Sequence, residues 1–261
     1  MKSPALLMSC VLLSGCAASP PAPKPKLGVL PVFDHLICAE SIRAKVGDAE
    51  CRRRLTAFIG RGLKATVVLR AAAPGNAPSP VVGAGVVIDA AGRVLTSYRA
   101  VRGLAAVSAT VREVGGSDGR FVYRDARVVP LRLVAFSERP DLALLEPERP
   151  GGMPEPLPLD LTARSFRQDY RYWFFAASPT AFGGSIISGI TESRRLDGGQ
   201  ELNDLVGLNV PSGAADLGGP VISYKGDLVG IMLFSDGASR TSYFVPAHIA
   251  AQIFGLPRAD K

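Results

Sequence analysis

The sequence predicts an all-β fold made of two antiparallel β-barrels, with a short helical segment before them and a short helix after them. Two observations carry this reading. Residues 63–147 and 159–246 each run as short β-branched and aromatic stretches separated by turn residues, the pattern of strands in an antiparallel barrel. Between them, Glu146 to Pro158 holds five prolines and two glycines, which resist regular structure and mark a crossover; 148–158 is its linker. At 261 residues with 47% hydrophobic content, the chain has the apolar material for cores of this size.

The N-terminus is read first. Met1-Lys2 is a short basic start, and Ala5 to Leu13 is an apolar run too short to span a bilayer. Together they have the form of a secretory signal peptide. Leu13-Ser14-Gly15-Cys16 then resembles a bacterial lipobox. The resemblance implies cleavage before Cys16, which makes 1–15 a lipoprotein signal peptide and Cys16 the site of lipid attachment. Ala17 follows the cysteine where an aspartate would signal retention. By analogy with Gram-negative lipoproteins, the chain is expected in the cell envelope, anchored to the outer membrane and facing the periplasm. The plainer alternative is an ordinary signal peptide with a chance cysteine. Residues 16–26 contain Ser-Pro-Pro-Ala-Pro-Lys-Pro-Lys, a stiff, extended tether that cannot pack a core.

Residues 27–62 differ in texture. Phe33, Leu36, Ile37, Ile42 and Val46 recur at helical intervals, Gly47-Asp48 breaks the pattern, and Asp48 is placed to cap a second helix from Ala49 to about Ile59. With Cys10 lost in the signal and Cys16 acylated, Cys38 and Cys51 remain as an even pair in an oxidising compartment. They are expected to form a disulfide, which would stabilise by roughly 3 kcal/mol. Two cysteines and two distant histidines, His35 and His248, match no zinc spacing, so no metal is expected.

From Lys64 the strands begin. They are predicted at Ala65–Arg70, Val81–Asp89 and Arg93–Thr96, the last two joined by a hairpin turn over Ala90-Ala91-Gly92. Further strands are predicted at Ala105–Val114, Phe121–Val129, Arg132–Phe136 and Leu142–Glu146. The second half carries Arg171–Ala176, Ser185–Thr191, Leu205–Val210, Val221–Tyr224, Leu228–Phe234 and Thr241–Val245. Pro246 to Phe254 reads as a closing helix.

Five segments share one resemblance. They are Gly83-Ala84-Gly85-Val86-Val87-Ile88-Asp89, Leu95-Thr96-Ser97-Tyr98-Arg99-Ala100-Val101, Asp141-Leu142-Ala143-Leu144-Leu145, Ser188-Gly189-Ile190 and Ala215-Asp216-Leu217-Gly218-Gly219-Pro220. In this order they resemble the protease domain of high-temperature-requirement (HtrA-type) trypsin-like serine proteases, over roughly residues 64 to 250. The resemblance implies two six-stranded barrels with the active cleft between them. It also implies a triad in the order histidine, acid, serine. Here the three positions read Arg99, Asp141 and Leu217. The acid is kept; the other two are replaced.

A guanidinium stays protonated and cannot accept a proton from a hydroxyl, and leucine has no nucleophilic atom. The resemblance therefore implies a pseudoprotease. The Asp216, Gly218 and Gly219 turn remains as the remnant of an oxyanion loop. Arg99 and Asp141, in positions that resemble a hydrogen-bonded pair, are expected to form an ion pair; the alternative has Arg99 in solvent and Asp141 capping backbone amides. Ser97, Ser212 and Ser223 lie near the motifs without a placeable histidine or lysine, so a serine peptidase with a relocated site is the second reading.

The net charge of +7 is mostly arginine spread along the chain, with only the Arg52-Arg53-Arg54 run. That distribution and the export signal leave no expectation of nucleic acid. No cofactor motif appears. The partners expected are a protein or peptide of the envelope and, through Cys16, a membrane.

Overall fold

The computed structural model describes residues 28–29, 47–72, 79–117, 120–162, 166, 171–175, 182–195, 201–223, 225–236 and 240–257. The signal peptide, the tether with Cys16, the first predicted helix and Cys38 lie outside the described residues.

The N-terminal segment begins with a strand. β1 (Gly28–Val29) pairs antiparallel with the first barrel, a correction to the helical reading of 27–62. Helix α1 (Asp48–Ala65) then runs six residues past the predicted end. Gly47, not Asp48, occupies its cap, at φ 78, and its carbonyl accepts the Cys51 amide at 3.1 Å. The helix ends where Thr66 turns extended; its backbone amide and its hydroxyl both bond the Gly62 carbonyl, the hydroxyl at 2.7 Å. The β-branched run after Lys64 had suggested an earlier strand. Packing overrides that propensity: Phe58, Ile59 and Ala65 are buried, and Gly62 lets the helix lie against the second barrel. A Cβ at Gly62 would sit 2.5 Å from the Phe175 ring and 3.1 Å from Ile222. Cys51 is buried and disulfide-bonded.

The first barrel comprises β2 (Thr66–Ala71), β3 (Val81–Val87), β4 (Val94–Ser97), β5 (Val107–Ser117), β6 (Arg120–Ser137) and β7 (Leu142–Pro147). The strand order is β6-β5-β2-β3-β4-β7, closed by β7 on β6, with β1 added outside β6. The two strands predicted on either side of Pro130 are one strand. Proline is tolerated because β6 changes partner there. It pairs with β5 up to Leu131 and with β7 from Leu131 onward, while the Pro130 carbonyl accepts the Glu148 amide. Between β4 and β5 stands α2 (Tyr98–Val101), a single turn.

Residues 148–158 form the strap between barrels, without regular structure. Leu157, buried, donates its amide to Val87 of the first barrel at 3.0 Å, and the Pro158 carbonyl accepts the Leu228 amide of the second at 2.8 Å.

The second barrel comprises β8 (Arg171–Phe175), β9 (Phe182–Arg195), β10 (Glu201–Leu208), β11 (Pro220–Ile222), β12 (Leu228–Asp236) and β13 (Thr241–Pro246), closed in the order β10-β13-β12-β11-β8-β9. Helix α3 (Ala247–Phe254) follows and stops at Gly255, which is left-handed at φ 59. One apolar cluster joins the barrels: Val86, Leu95 and Leu144 of the first meet Phe175, Ile222 and Ile231 of the second, with Phe58 and Ile59 of α1.

Candidate functional site

Strand β4 delivers Ser97 and then α2, so that Ser97, Tyr98 and Arg99 project from one turn of chain. The tight turn before β7 supplies Asp141. Its amide bonds the Glu138 carbonyl at 3.1 Å, and its backbone is left-handed at φ 69, a conformation aspartate adopts more readily than most residues. The Asp141 carbonyl accepts the Tyr98 amide at 3.1 Å, which locks the two segments together.

Within this frame the Asp141 side chain, fully buried, is saturated with donors. Oδ2 accepts Arg99 Nε at 2.8 Å and Ser97 Oγ at 2.8 Å; Oδ1 accepts the Arg99 backbone amide at 2.9 Å. Arg99 and Asp141 thus form the expected ion pair rather than leaving Arg99 in solvent, and Asp141 takes a backbone amide as well. Burial pushes the Asp141 carboxyl above the usual carboxylate range, while the Arg99 charge and hydrogen bonds, with Ser97, pull against it.

Arg99 also reaches out of its own barrel. Its Nη2 donates to the Leu233 carbonyl on β12 at 2.8 Å, and its guanidinium lies 5.9 Å from the centre of the Phe234 ring. The Leu233 carbonyl is available because of a bulge. β12 pairs Met232 with Phe244 and Phe234 with Tyr243, leaving Leu233 as the extra residue. Sequence reasoning missed Leu233 and Phe234, since a bulge in a strand of apolar residues leaves no trace in its pattern. Ser97 was weighed only as a nucleophile; its position two residues before Arg99 was the available signal.

The turn that ends in Leu217 packs against the same barrel. The Leu217 carbonyl accepts the Ala84 amide of β3 at 2.7 Å, and its half-buried side chain joins the cluster of Tyr98, Ala100 and Leu145. Gly218 stands at φ 81, where a Cβ would overlap Thr96 Oγ1 and the Ala84 carbonyl. Only glycine lets the turn approach β3 and β4 this closely.

The expected oxyanion pocket is corrected by this turn. Ala214–Asp216 is a 3-10 turn, and its amides face inward. Asp216 N donates to Gly213 O at 2.9 Å, Leu217 N to Ala214 O at 3.4 Å, Gly218 N to Met232 O at 2.7 Å and Gly219 N to Asp216 O at 3.0 Å. A pocket for an oxyanion needs amides that point at the ligand, and these four are engaged within the protein. Asp216 itself is buried. Its Oδ2 accepts the Gly213 amide at 2.6 Å and its Oδ1 has no partner. Burial pushes its carboxyl up, opposed only by the Gly213 bond.

The structure thus brings Arg99, Asp141, Leu217, Asp216, Gly218 and Gly219 to the junction of β3, β4, β7 and β12, and leaves Cys51 apart on α1. Among the described residues no group of three or more His, Cys, Asp or Glu is placed to hold a metal ion.

Residues 83–231, which contain Arg99, Asp141 and Asp216 to Gly219, match the model of the trypsin-like peptidase domain. The chain belongs to that family. This trypsin-like domain is 23% identical over 154 residues to Protease Do-like 1, chloroplastic, of Arabidopsis thaliana. That match covers 57% of this chain and 32% of the relative, so the chain spans about a third of that protein's length. Among solved structures it is similar to the MamO protease domain of Magnetospirillum magneticum in its apo form. The TM-score is 0.59 and the identity 18%, with 76% of this chain and 99% of that one covered. It is equally similar to the HtrA-type protease AlgW with decapeptide, with TM-score 0.59, identity 16%, and coverage of 77% and 66%. Deg5 matches with TM-score 0.59, identity 17%, and coverage of 80% and 94%. At these identities the likeness is one of fold, and it establishes the HtrA-type arrangement of two barrels.

Proposed function

We propose that the protein is a membrane-anchored, extracytoplasmic pseudoprotease, a trypsin-like domain without its histidine and serine that holds a peptide or protein partner in the cell envelope. The Arg99 side chain carries this reading. A base must accept a proton from the nucleophile and pass it on. Arg99 stands at that position as a fixed cation, bonded to Asp141 and to the Leu233 carbonyl. Leu217 offers no nucleophile. In one serine protease the loss of either group alone lowers kcat by about 10⁶.

The binding role rests on an open strand edge. Among the described residues, β12 beyond Met232 pairs on one side with β13, and its other edge is unpaired over Phe234–Asp236. Such an edge accepts an extended peptide as an added strand, and the similar AlgW was solved with a decapeptide. Membrane attachment rests on the lipobox resemblance at Cys16.

A fluorophosphonate serine-hydrolase probe, with a fluorogenic peptide digest in parallel, tests the chemistry. The folded protein is expected to give no labelling and no cleavage. Labelling at a single serine overturns the reading and maps a relocated nucleophile.

A further inference from the structure

Among the described residues, six large hydrophobic side chains are exposed, and four of them lie on β6: Val128 at 62%, Leu133 at 45%, Val134 at 46% and Phe136 at 51%. The inward side of the strand is filled in the ordinary way by Val129 and Leu131, both buried. Val128 faces outward by the ordinary alternation beside the buried Val129, and the bulge at Val134 interrupts the register with β7 among the exposed Leu133, Val134 and Phe136. Phe136 is held in place by Tyr98, whose ring stacks on it at 4.4 Å with an interplanar angle of 10°. An apolar strip on one strand of a soluble-looking barrel calls for an occupant.

We propose that this face of β6 rests on the membrane surface, so that the lipid anchor and the strip together fix the orientation of the domain. The inference rests on the lipid attachment at Cys16 proposed above. Three observations select a bilayer as the occupant. First, the chain enters the fold on this strand: β1 pairs Gly28 with Tyr123 and Val29 with Val122. That pairing is antiparallel, so the N-terminal end of β1 faces the direction in which β6 continues toward Val128 and Phe136. Second, Cys16 lies only twelve residues before Gly28. A proline-rich tether of that length reaches roughly 37 Å when fully extended, at about 3.1 Å per residue. The point where β1 joins β6 at Tyr123 is therefore within about 37 Å of the headgroups, and the strip begins five residues further along the strand.

Third, the strip is set among cations. Residues 120–139 contain five arginines and two carboxylates. Arg124 is paired with Glu113, Arg132 with Glu146, and Arg127 bonds the Gly152 carbonyl at 2.5 Å. Arg124 and Glu113 are both exposed, and Arg132 is exposed beside a half-buried Glu146, so these ion pairs are weak enough to exchange for lipid phosphate. Aromatic and aliphatic groups interleaved with arginine suit the interfacial zone of an anionic bilayer.

The test uses the full chain, purified as the acylated protein and reconstituted in phosphatidylethanolamine–phosphatidylglycerol vesicles. A nitroxide is attached at Val134→Cys. Docking predicts that the label loses relaxation by a water-soluble nickel chelate and gains relaxation by oxygen, relative to the same protein in detergent-free buffer after protease release from the anchor. Phe136→Glu is expected to restore nickel access, and raised salt to restore part of it. Equal nickel access in both settings overturns the proposal. So does shielding accompanied by dipolar broadening between nitroxides, which would make a second copy of the chain the occupant. Palmitate incorporation is measured on the same preparation and reports on Cys16 alone. If it is absent, the anchor reading fails, and the labelled chain added to vesicles from solution decides docking by the same two relaxation agents.

Discussion

Arg99 stands where the proposed reading places a lost histidine. Imidazole accepts and returns a proton; guanidinium does neither, but its planar fork bonds Asp141 on one side and the Leu233 carbonyl on the other. Asp216 shows the opposite case, a buried carboxylate with one bonded oxygen and, among the described residues, no paired cation. Its folded pKa lies above its unfolded value, so the folded state holds the proton more tightly. Stability from this group is greatest at low pH and falls as pH rises from about 4 through the folded pKa. Asp216→Asn removes that charge while its amide oxygen can still accept the Gly213 N–H. The variant is expected to melt higher than wild type at neutral pH and to match it near pH 4. Asp141 shifts in the same direction, so the slope becomes shallower without vanishing. Melting curves recorded across that range check this; a variant less stable than wild type at neutral pH would show that the carboxylate charge is needed. At this scale the sequence was legible for Arg99, Asp141 and Leu217, because their motifs are contiguous. It was silent on Leu233, whose role depends on a backbone carbonyl exposed by a bulge.

At the scale of elements, the Ala214–Asp216 turn decides what residue changes alone can achieve. On the pseudoprotease reading proposed above, the double variant Arg99→His with Leu217→Ser would supply the two side chains that a triad needs beside Asp141. It would not return outward-facing amides, since those of residues 216 to 219 bond to carbonyls of their own turn and of Met232. Losing an oxyanion-hole donor raises the barrier by roughly 3 kcal/mol. The double variant is therefore expected to label with fluorophosphonate about 10²–10³-fold more slowly than a trypsin-like protease whose oxyanion amides face the cleft. Rapid labelling would mean that the turn opens once the leucine is gone. The strands of both barrels were readable from their turns and alternation. The end of α1 was not, because the helix is carried past Ile59 by Gly62 lying against Phe175 and Ile222 and by the buried Ala65, contacts far away in sequence. Nor was the unbroken course of β6 through Pro130, where a change of partner excuses the missing amide.

Among the described residues the barrels are tied by the strap, by the Ala84–Leu217 hydrogen bond and by three further contacts. The cluster that includes Val86, Leu95, Phe175 and Ile231 takes residues from both. Helix α1 packs Phe58 and Ile59 into that cluster and lays Gly62 on the second barrel. Arg99 bonds the Leu233 carbonyl across the gap. A shared apolar core makes separate unfolding of the barrels expensive, since either one left alone would expose it. Denaturant unfolding is thus expected to be a single transition, coincident by far-UV circular dichroism and by fluorescence of the one tryptophan, Trp173, on β8 of the second barrel. Arg99→Ala removes the bond to the Leu233 carbonyl and leaves Asp141 buried without its cation, which costs about 3 kcal/mol, the low end for a broken buried pair because Arg99 is 28% exposed. The midpoint should fall, yet the two probes should still coincide, because the core and α1 remain. If the tryptophan signal separates from the circular dichroism in Arg99→Ala, then the arginine, and not the core, is what couples the barrels. The exchange of histidine for arginine would then have been a change in how the domain is assembled as well as in what it can catalyse.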